Sequence, residues 1–96
     1  MTAKKHIYIR DFCRGHSLEE AFLYELHEHE LLCIEEVDRQ PAFHRRELGR
    51  LERLVRLHRD LELGPPGLQA VQHLLDRLDL MEQELWQLRR RLGRWE

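Results

Sequence analysis

The sequence predicts a mainly α-helical fold that carries a small β wing and ends in a long C-terminal helix. Three observations predict it. Apolar residues recur at helical spacing in three stretches, at 17–32, 45–60 and 68–95. A polar stretch that contains Pro41 separates Ile34 from Phe43, as expected for a short hairpin or wing. The Gly-Pro-Pro-Gly sequence at 64–67 is the clearest break in the chain.

The first sixteen residues predict a short strand followed by a short helix. Ile7 and Ile9 alternate with more polar neighbours, which is typical of a strand. Phe12 and Cys13 fit one face of a helix that ends near Gly15.

The second helix has both a predicted start and a predicted buried face. Ser17 is expected to be its N-cap, because Glu20 three residues later completes a capping box. The expected buried stripe consists of Leu18, Phe22 and Leu26. The helix is expected to end at the leucine pair 31–32.

The third helix is expected to start around Arg45 and to stop near Asp60. Its apolar seam consists of Leu48, Leu51, Val55 and His58, with Leu54 beside it. A histidine on such a seam is expected to be a packed core residue.

The Gly-Pro-Pro-Gly break divides the chain into a winged-helix-like domain over 1–63 and a long C-terminal helix over 64–96. The two together are expected to form one compact unit.

The fourth helix carries an apolar ladder whose rungs alternate three and four residues apart. The rungs are Val71, Leu74, Leu78, Met81, Leu85, Leu88, Leu92 and Trp95. Burying each large apolar side chain stabilises a structure by roughly 1.5–3 kcal/mol. A helix of the same chain can cover only part of the ladder, so the ladder predicts a homodimer. We expect 71–78 to pack on the third helix of the same chain. The expected dimerisation residues are Leu78, Met81, Leu85, Leu88, Leu92 and Trp95.

The orientation of the two helices in such a dimer stays open. In a parallel, in-register pair the flanking positions match Arg77 with Glu82, Glu84 with Arg89, and Arg91 with Glu96. Each exposed match contributes only roughly 0.3–0.5 kcal/mol, which does not settle the orientation.

Charge is distributed in blocks along a chain whose net charge is only −2. Residues 17–36 contain seven glutamates and no lysine or arginine. Duplex DNA would repel this segment, because affinity for DNA comes from basic side chains that displace counterions. We expect it to bind a basic protein surface, and no DNA. The expected partner-binding residues are Glu19, Glu20, Tyr24, Glu25 and Glu28.

Six arginines of the third helix form a basic stripe, the one feature that favours nucleic acid. They are residues 45, 46, 50, 53, 56 and 59. Because Glu47 and Glu52 are interleaved, a solvated helix face is the preferred interpretation.

Several other classes of function are not expected. His27 and His29 are two residues apart and point to different sides of a helix, so no metal site is expected. The chain has no glycine-rich phosphate loop, and we expect no enzyme, no cofactor and no small-molecule substrate. Cys13 and Cys33 are expected to be core thiols in a reducing cytoplasm. No apolar run is long enough to span a bilayer, so a cytoplasmic protein without membrane contact is expected.

Both halves of the chain contain short motifs typical of one family. In the C-terminal half they are RLHRDLEL at 56–63, Pro-Gly-Leu at 66–68, LLDRL at 74–78, MEQEL at 81–85 and LRRRL at 88–92. In the N-terminal half they are Ile9, Phe12-Cys13 and Ser17-Leu18-Glu19-Glu20. Together these motifs resemble the CbpM chaperone-modulator family, whose architecture is similar to the winged helix of MerR-type regulators. One departure is Glu30, where relatives often have glycine.

The resemblance implies a function. Members of that family are similar to MerR-type folds that no longer regulate genes. They bind the J-domain of a DnaJ-like or CbpA-like co-chaperone and block its stimulation of the Hsp70 chaperone DnaK. The resemblance to MerR-type dimers also favours antiparallel pairing of the long helices. The alternative function is that of a MerR-type DNA-binding transcriptional regulator.

Overall fold

The computed structural model describes residues 5–93, which form four α-helices and a three-stranded antiparallel sheet. The elements are β1 His6–Tyr8, α1 Ile9–His16, α2 Glu20–Glu28, β2 Ile34–Val37, β3 Gln40–His44, a 3₁₀ turn Arg45–Glu47, α3 Leu48–Leu61 and α4 Pro65–Gly93. The predicted fold class is confirmed: helices dominate, the sheet is small, and the C-terminal helix is long.

The sheet contains the wing. Its strand order is β1-β3-β2, and Phe43 of β3 pairs with Ile7 on one side and Ile34 on the other. The two-residue turn of the wing is formed by Asp38 and Arg39, both with positive φ (52° and 64°). Positive φ at both central residues is what a type I′ hairpin turn requires.

The strand predicted around Ile7 is shorter than expected, because Ile9 is already the first residue of α1. Tyr8 occupies the N-cap position in an extended conformation. Ile9, Phe12 and Cys13 then follow at i, i+3 and i+4, so all three side chains lie on one helical face, and all three are buried.

The prediction that Ser17 caps α2 is wrong. Ser17 instead ends α1 in the left-handed conformation, with φ 53° and ψ 48°. The backbone N–H of Leu18 donates to the carbonyl oxygen of Cys13 at 2.9 Å, as in a Schellman motif. The first residue of α2 is Glu20, and Glu19 stands in its N-cap position without a side-chain capping bond.

The inner face of α2 also differs from the predicted stripe. Leu23 and Leu26 are fully buried, whereas Leu18 precedes the helix and is only half-buried. Phe22 is half-buried and stacks on His58, with 4.3 Å between the ring centroids. The prediction of Leu26 is confirmed, and Leu23, which is absent from the predicted stripe, completes the inner face.

One apolar core joins the helices to the sheet. Its buried members are Ile9, Phe12, Cys13, Leu23, Leu26, Leu31, Leu32, Phe43, Leu51, Leu54, Val55 and Leu68. The seam predicted for α3 therefore lies in the core. The Nδ1 atom of His58 is 2.6 Å from the carbonyl oxygen of Leu63, so this half-buried histidine is packed and hydrogen-bonded as predicted.

The first turns of α4 pack on the domain through a different face from the predicted one. Leu68 and Gln72 are buried, but Leu74 and Leu78 are 64% and 49% exposed. The expectation that the ladder packs on α3 over 71–78 is therefore wrong for these two rungs. They lie about a third of a turn away from the Leu68 and Gln72 face, since each residue of a helix advances 100°.

Candidate protein-interaction surface

Five side chains around α2 form what we call the acidic surface. Its members are Glu19, Glu20, Tyr24, Glu25 and Glu28, and all of them are exposed. They face solvent because Leu23 and Leu26 turn the opposite side of α2 into the core. Tyr24, which is 40% exposed, is the one large apolar side chain among the four carboxylates. The structure thus leaves all five predicted partner-binding residues exposed on or just before α2.

The charge of the acidic surface is not balanced by ion pairs within the described part of the chain. Within residues 5–93, none of these four glutamates takes part in an ion pair; the ion pairs involve Glu35, Asp11 and Glu52 instead. Glu20 is close enough to α1 to act on Cys13. Burial raises the pKa of the Cys13 thiol, and the charge of Glu20 raises that pKa further. An uncompensated field of this kind attracts a cationic surface.

The end of α2 is held by its histidines. The Nδ1 atom of His27 lies 2.9 Å from the carbonyl oxygen of Leu32 and 3.2 Å from the backbone nitrogen of Ile34. The Nδ1 atom of His29 lies 2.9 Å from the carbonyl oxygen of Glu25. The His27 imidazole therefore connects α2 to the wing. No group of three or more His, Cys, Asp or Glu side chains suited to a metal ion occurs in the described part of the chain.

A second exposed surface runs along α4 and is called here the apolar ladder. Its first rung, Val71, is half-buried. The next six rungs are 48–67% exposed: Leu74, Leu78, Met81, Leu85, Leu88 and Leu92. Every residue from 76 to 93 is exposed. The predicted rung Trp95 lies outside the described residues. A row of large exposed apolar side chains of this length is typical of an interaction site.

Two exposed apolar residues of α4 lie off the ladder, and the ladder pattern did not single them out. Leu80 is 59% exposed and Trp86 is 62% exposed. They project from two further sides of α4, because neither fits the alternating spacing of the rungs.

Some arginines of α3 serve the fold. A guanidinium nitrogen of Arg50 donates to the carbonyl oxygen of Leu31 at 2.5 Å, and Arg59 donates to the carbonyl oxygen of His16. The carbonyl that Arg50 binds lies just beyond α2. These two side chains therefore hydrogen-bond the backbone of other segments and help to hold the helices together.

The two cysteines have different environments. Cys13 is buried, as predicted, but Cys33 is exposed, so the expectation of two core thiols is wrong. Cys33 stands just before β2, and its backbone N–H donates to a carboxylate oxygen of Glu47 at 3.2 Å. The backbone of Cys33 thus has a structural role even though the residue is exposed.

The comparisons agree with this architecture. The structure defines a winged helix-turn-helix unit, formed by α1, α2 and the β2–β3 wing, that continues into a long helix. The family model described as MerR HTH family regulatory protein matches residues 7–90, so the chain belongs to this family. No curated protein and no solved structure gives a significant match. Among the described residues, no helix is at once long enough and apolar enough to cross a membrane.

Proposed function

We propose that this protein is a non-enzymatic chaperone modulator. It binds the J-domain of a DnaJ-like or CbpA-like co-chaperone and competes with the DnaK chaperone for that domain. The observation that carries the proposal is the acidic surface. Four exposed glutamates that form no ion pair within residues 5–93 lie on and just before the helix with which a helix-turn-helix regulator reads DNA.

The charge of the acidic surface determines the kind of partner. DNA binding requires cationic side chains at phosphates, and this surface offers carboxylates instead. A basic helix on a protein partner supplies the missing counter-charges. Tyr24 provides a short-range anchor at the centre of the charged field, as expected of an interface hot spot.

The proposal includes a homodimer formed through the apolar ladder. The six rungs from Leu74 to Leu92 are about half exposed or more, and a second copy of α4 would cover them. The acidic surface lies on α2, which is a separate element, so dimerisation and partner binding use different faces.

The first test is a charge reversal in which Glu19, Glu20 and Glu28 are replaced by Lys. The variant is expected to associate with a purified J-domain roughly tenfold more slowly at low salt and to lose most of the salt dependence, because long-range attraction sets the encounter rate. Stopped-flow fluorescence measures both. The matched control reverses Glu52, Asp60 and Glu62, three exposed acids of the α3 region, and is expected to change the rate far less.

The second test is Tyr24→Ala. Loss of a packed aromatic anchor is expected to speed dissociation about tenfold or more and to leave the association rate nearly unchanged. Unchanged kinetics in both the Tyr24 and the charge variants, with native circular dichroism, would place the interface elsewhere and refute the assignment of this surface.

The competing function is DNA-binding regulation, which the regulatory description of the matched family favours. It would have to use the exposed arginines of α3, such as Arg53 and Arg56. An electrophoretic mobility shift that persists at physiological salt would support it, since contacts made by charge alone weaken steeply there. On our proposal no such shift is expected, and a pull-down from native lysate recovers a DnaJ-like protein.

A further inference from the structure

A polar cleft lies beside the end of α2, where the first turns of α4 meet the domain. Its volume is about 240 Å³. Small-molecule sites are usually larger, at roughly 300–1,000 Å³, so this cleft suits a single side chain of another molecule. The end of α2, α3 and α4 all contribute to its lining. The lining side chains include His29, Glu30, Arg50, Gln72, His73 and Asp76.

Gln72 is the buried side chain of the polar cleft, and its amide is only half satisfied within residues 5–93. The residue is 7% exposed. Its Nε2 atom donates to a carboxylate oxygen of Asp76 at 2.8 Å. Because an ionised carboxylate only accepts, this bond identifies which end of the amide is the nitrogen. The buried Oε1 atom is then an acceptor that receives no hydrogen bond from the described residues. A buried acceptor without a donor destabilises the folded chain, so the site favours a ligand that donates.

A second side chain of the cleft also presents an acceptor. The Nδ1 atom of His29 lies 2.9 Å from the carbonyl oxygen of Glu25. A carbonyl oxygen cannot donate, so Nδ1 carries the proton, and the Nε2 atom of the neutral ring is an acceptor.

The charges of the polar cleft favour a cation. Glu30 and Asp76 are exposed, and neither forms an ion pair within residues 5–93. Among the described lining residues Arg50 has the only fixed positive charge, which balances one of the two carboxylates. The cleft also lies next to the C-terminal end of α2, where the helix dipole is negative.

We propose that the polar cleft binds an arginine side chain of a partner protein. A guanidinium group has five N–H donors in one plane, so a single group can donate to Glu30, Asp76 and the Oε1 atom of Gln72. The last torsion of a glutamine side chain is soft, so a small turn of the amide brings Oε1 to the cleft. A lysine ammonium group is a compact point charge with three donors and matches this spread of acceptors less well.

This step rests on the proposed function, because the partner is the same basic protein that binds the acidic surface. Glu28, a member of the acidic surface, is the last residue of α2, and His29 of the cleft follows it directly. A basic helix lying on the acidic surface therefore has the cleft within reach of a neighbouring side chain. The acidic surface supplies long-range attraction, and the cleft supplies a specific short-range contact.

An NMR titration of the full chain with Nα-acetyl-arginine methylamide tests the site directly. We expect the side-chain amide signals of Gln72 to shift most and those of Gln83, an exposed glutamine of α4 outside the cleft, to stay in place. The matched probe is the citrulline analogue, which has the same shape without the charge. It is expected to bind at least about tenfold more weakly, because hydrogen bonds to a charged group are the stronger ones. Equal binding of the citrulline or the lysine analogue, or no shift at Gln72, overturns the proposal.

Gln72→Met separates ligand binding from a purely structural role. Methionine is similar in size to glutamine and has neither amide atom. We expect the affinity for the arginine analogue to fall about tenfold, while the free energy of unfolding stays the same or rises, because the buried acceptor without a donor is removed. The matched control, Gln83→Met, is expected to change neither quantity. A less stable Gln72→Met chain that still binds the analogue with unchanged affinity would show that the amide serves the fold alone.

Asp76→Asn tests the charge at an exposed position, where the fold is expected to tolerate the change. The affinity for the arginine analogue is expected to fall about fivefold or more, because the guanidinium loses an ionised acceptor. Asp79→Asn, an exposed acid of α4 outside the cleft, is the matched control and is expected to leave the affinity unchanged. Equal effects of the two variants would mean that the general charge of α4, and not the cleft, attracts the ligand.

The titrations with arginine analogues contain no J-domain. Binding of a purified J-domain to wild type and to Asp76→Asn is measured separately by calorimetry, and Asp76→Asn is expected to bind it about fivefold or more weakly. A wild-type chain that binds the arginine analogue but no J-domain refutes the proposed function and leaves the cleft standing. A chain that binds the J-domain equally well with and without the Asp76 carboxylate refutes the role of the cleft in that interface.

Discussion

At the scale of single residues, several helix ends and turns depend on backbone conformations that side chains disfavour. Five non-glycine residues among 5–93 have positive φ: Ser17, Glu30, Asp38, Arg39 and Glu62. Ser17 and Glu62 end α1 and α3, and Asp38 and Arg39 form the turn of the wing. Glu30 follows α2 with φ 60°, at the position where the resemblance leads one to expect glycine. The left-handed conformation explains why glycine suits that place.

Replacement of Glu30 by Gly is therefore expected to stabilise the fold. Glycine adopts positive φ without the steric cost that a Cβ atom incurs, and this gain exceeds its larger loss of chain entropy. We expect the free energy of unfolding to rise by about 0.5–1 kcal/mol, measured by guanidinium titration.

Glu28→Gly is the matched control, because Glu28 is the last helical residue of α2. It is expected to lower the free energy of unfolding by about 0.5–1 kcal/mol, the usual cost of glycine in a helix. A loss of stability in both variants would show that the steric cost of positive φ at Glu30 is smaller than the loss of chain entropy that glycine brings.

At the scale of elements, α2 has two faces with different tasks. Leu23 and Leu26 are fully buried, while Tyr24, next to Leu23 in sequence, is 40% exposed. Adjacent residues of a helix point 100° apart, so one helix can stabilise the core and present charged side chains at once. The acidic surface thus lies on a helix whose other face is packed in the core.

Leu23→Ala and Tyr24→Ala separate these tasks. Leu23→Ala is expected to lower the free energy of unfolding by about 2–4 kcal/mol, because it leaves a cavity in the core. Tyr24→Ala, at a partly exposed site, is expected to cost less than about 1 kcal/mol while still weakening partner binding. Chemical denaturation of both variants decides the matter, and equal losses would mean that Tyr24 belongs to the core.

At the scale of the whole molecule, the exposed apolar ladder of α4 is the feature that bears on the proposed homodimer. A row of rungs that are 48–67% exposed in one chain is the part of the molecule that a second copy would bury. The packing face of α4 is already occupied by the core through Leu68. The helix therefore has one face that packs on the domain and one exposed apolar face, which we propose for association.

Replacement of both Leu85 and Leu88 by Glu is expected to give a monomer, because a desolvated seam does not accept unpaired charges. Multi-angle light scattering at micromolar concentration measures the mass. The matched control is Leu80→Glu, which changes a similarly exposed leucine off the ladder and is expected to remain dimeric. A wild-type chain that is already monomeric under these conditions would refute the dimer.

The sequence by itself predicted the helical stretches, the hairpin, a break before the last helix and the acidic and apolar blocks, although the break lies at 62–64 and Pro65 already begins α4. These features depend on spacing and composition within a few turns of chain, so local physics is enough to predict them. All five residues proposed for the acidic surface proved exposed for the same reason.

Only the tertiary structure decided which faces are buried and where the short helices end. Ser17 could cap α2 or end α1, and the bond from the Leu18 N–H to the Cys13 carbonyl selected the second. In α4, apolar residues occupy more than one side of the helix, and the arrangement of α2 and α3 selected the side of Leu68 over the ladder. Either apolar side of such a helix fits a helical periodicity, so the sequence pattern alone does not show which side is buried. The elements that the helix packs against determine it.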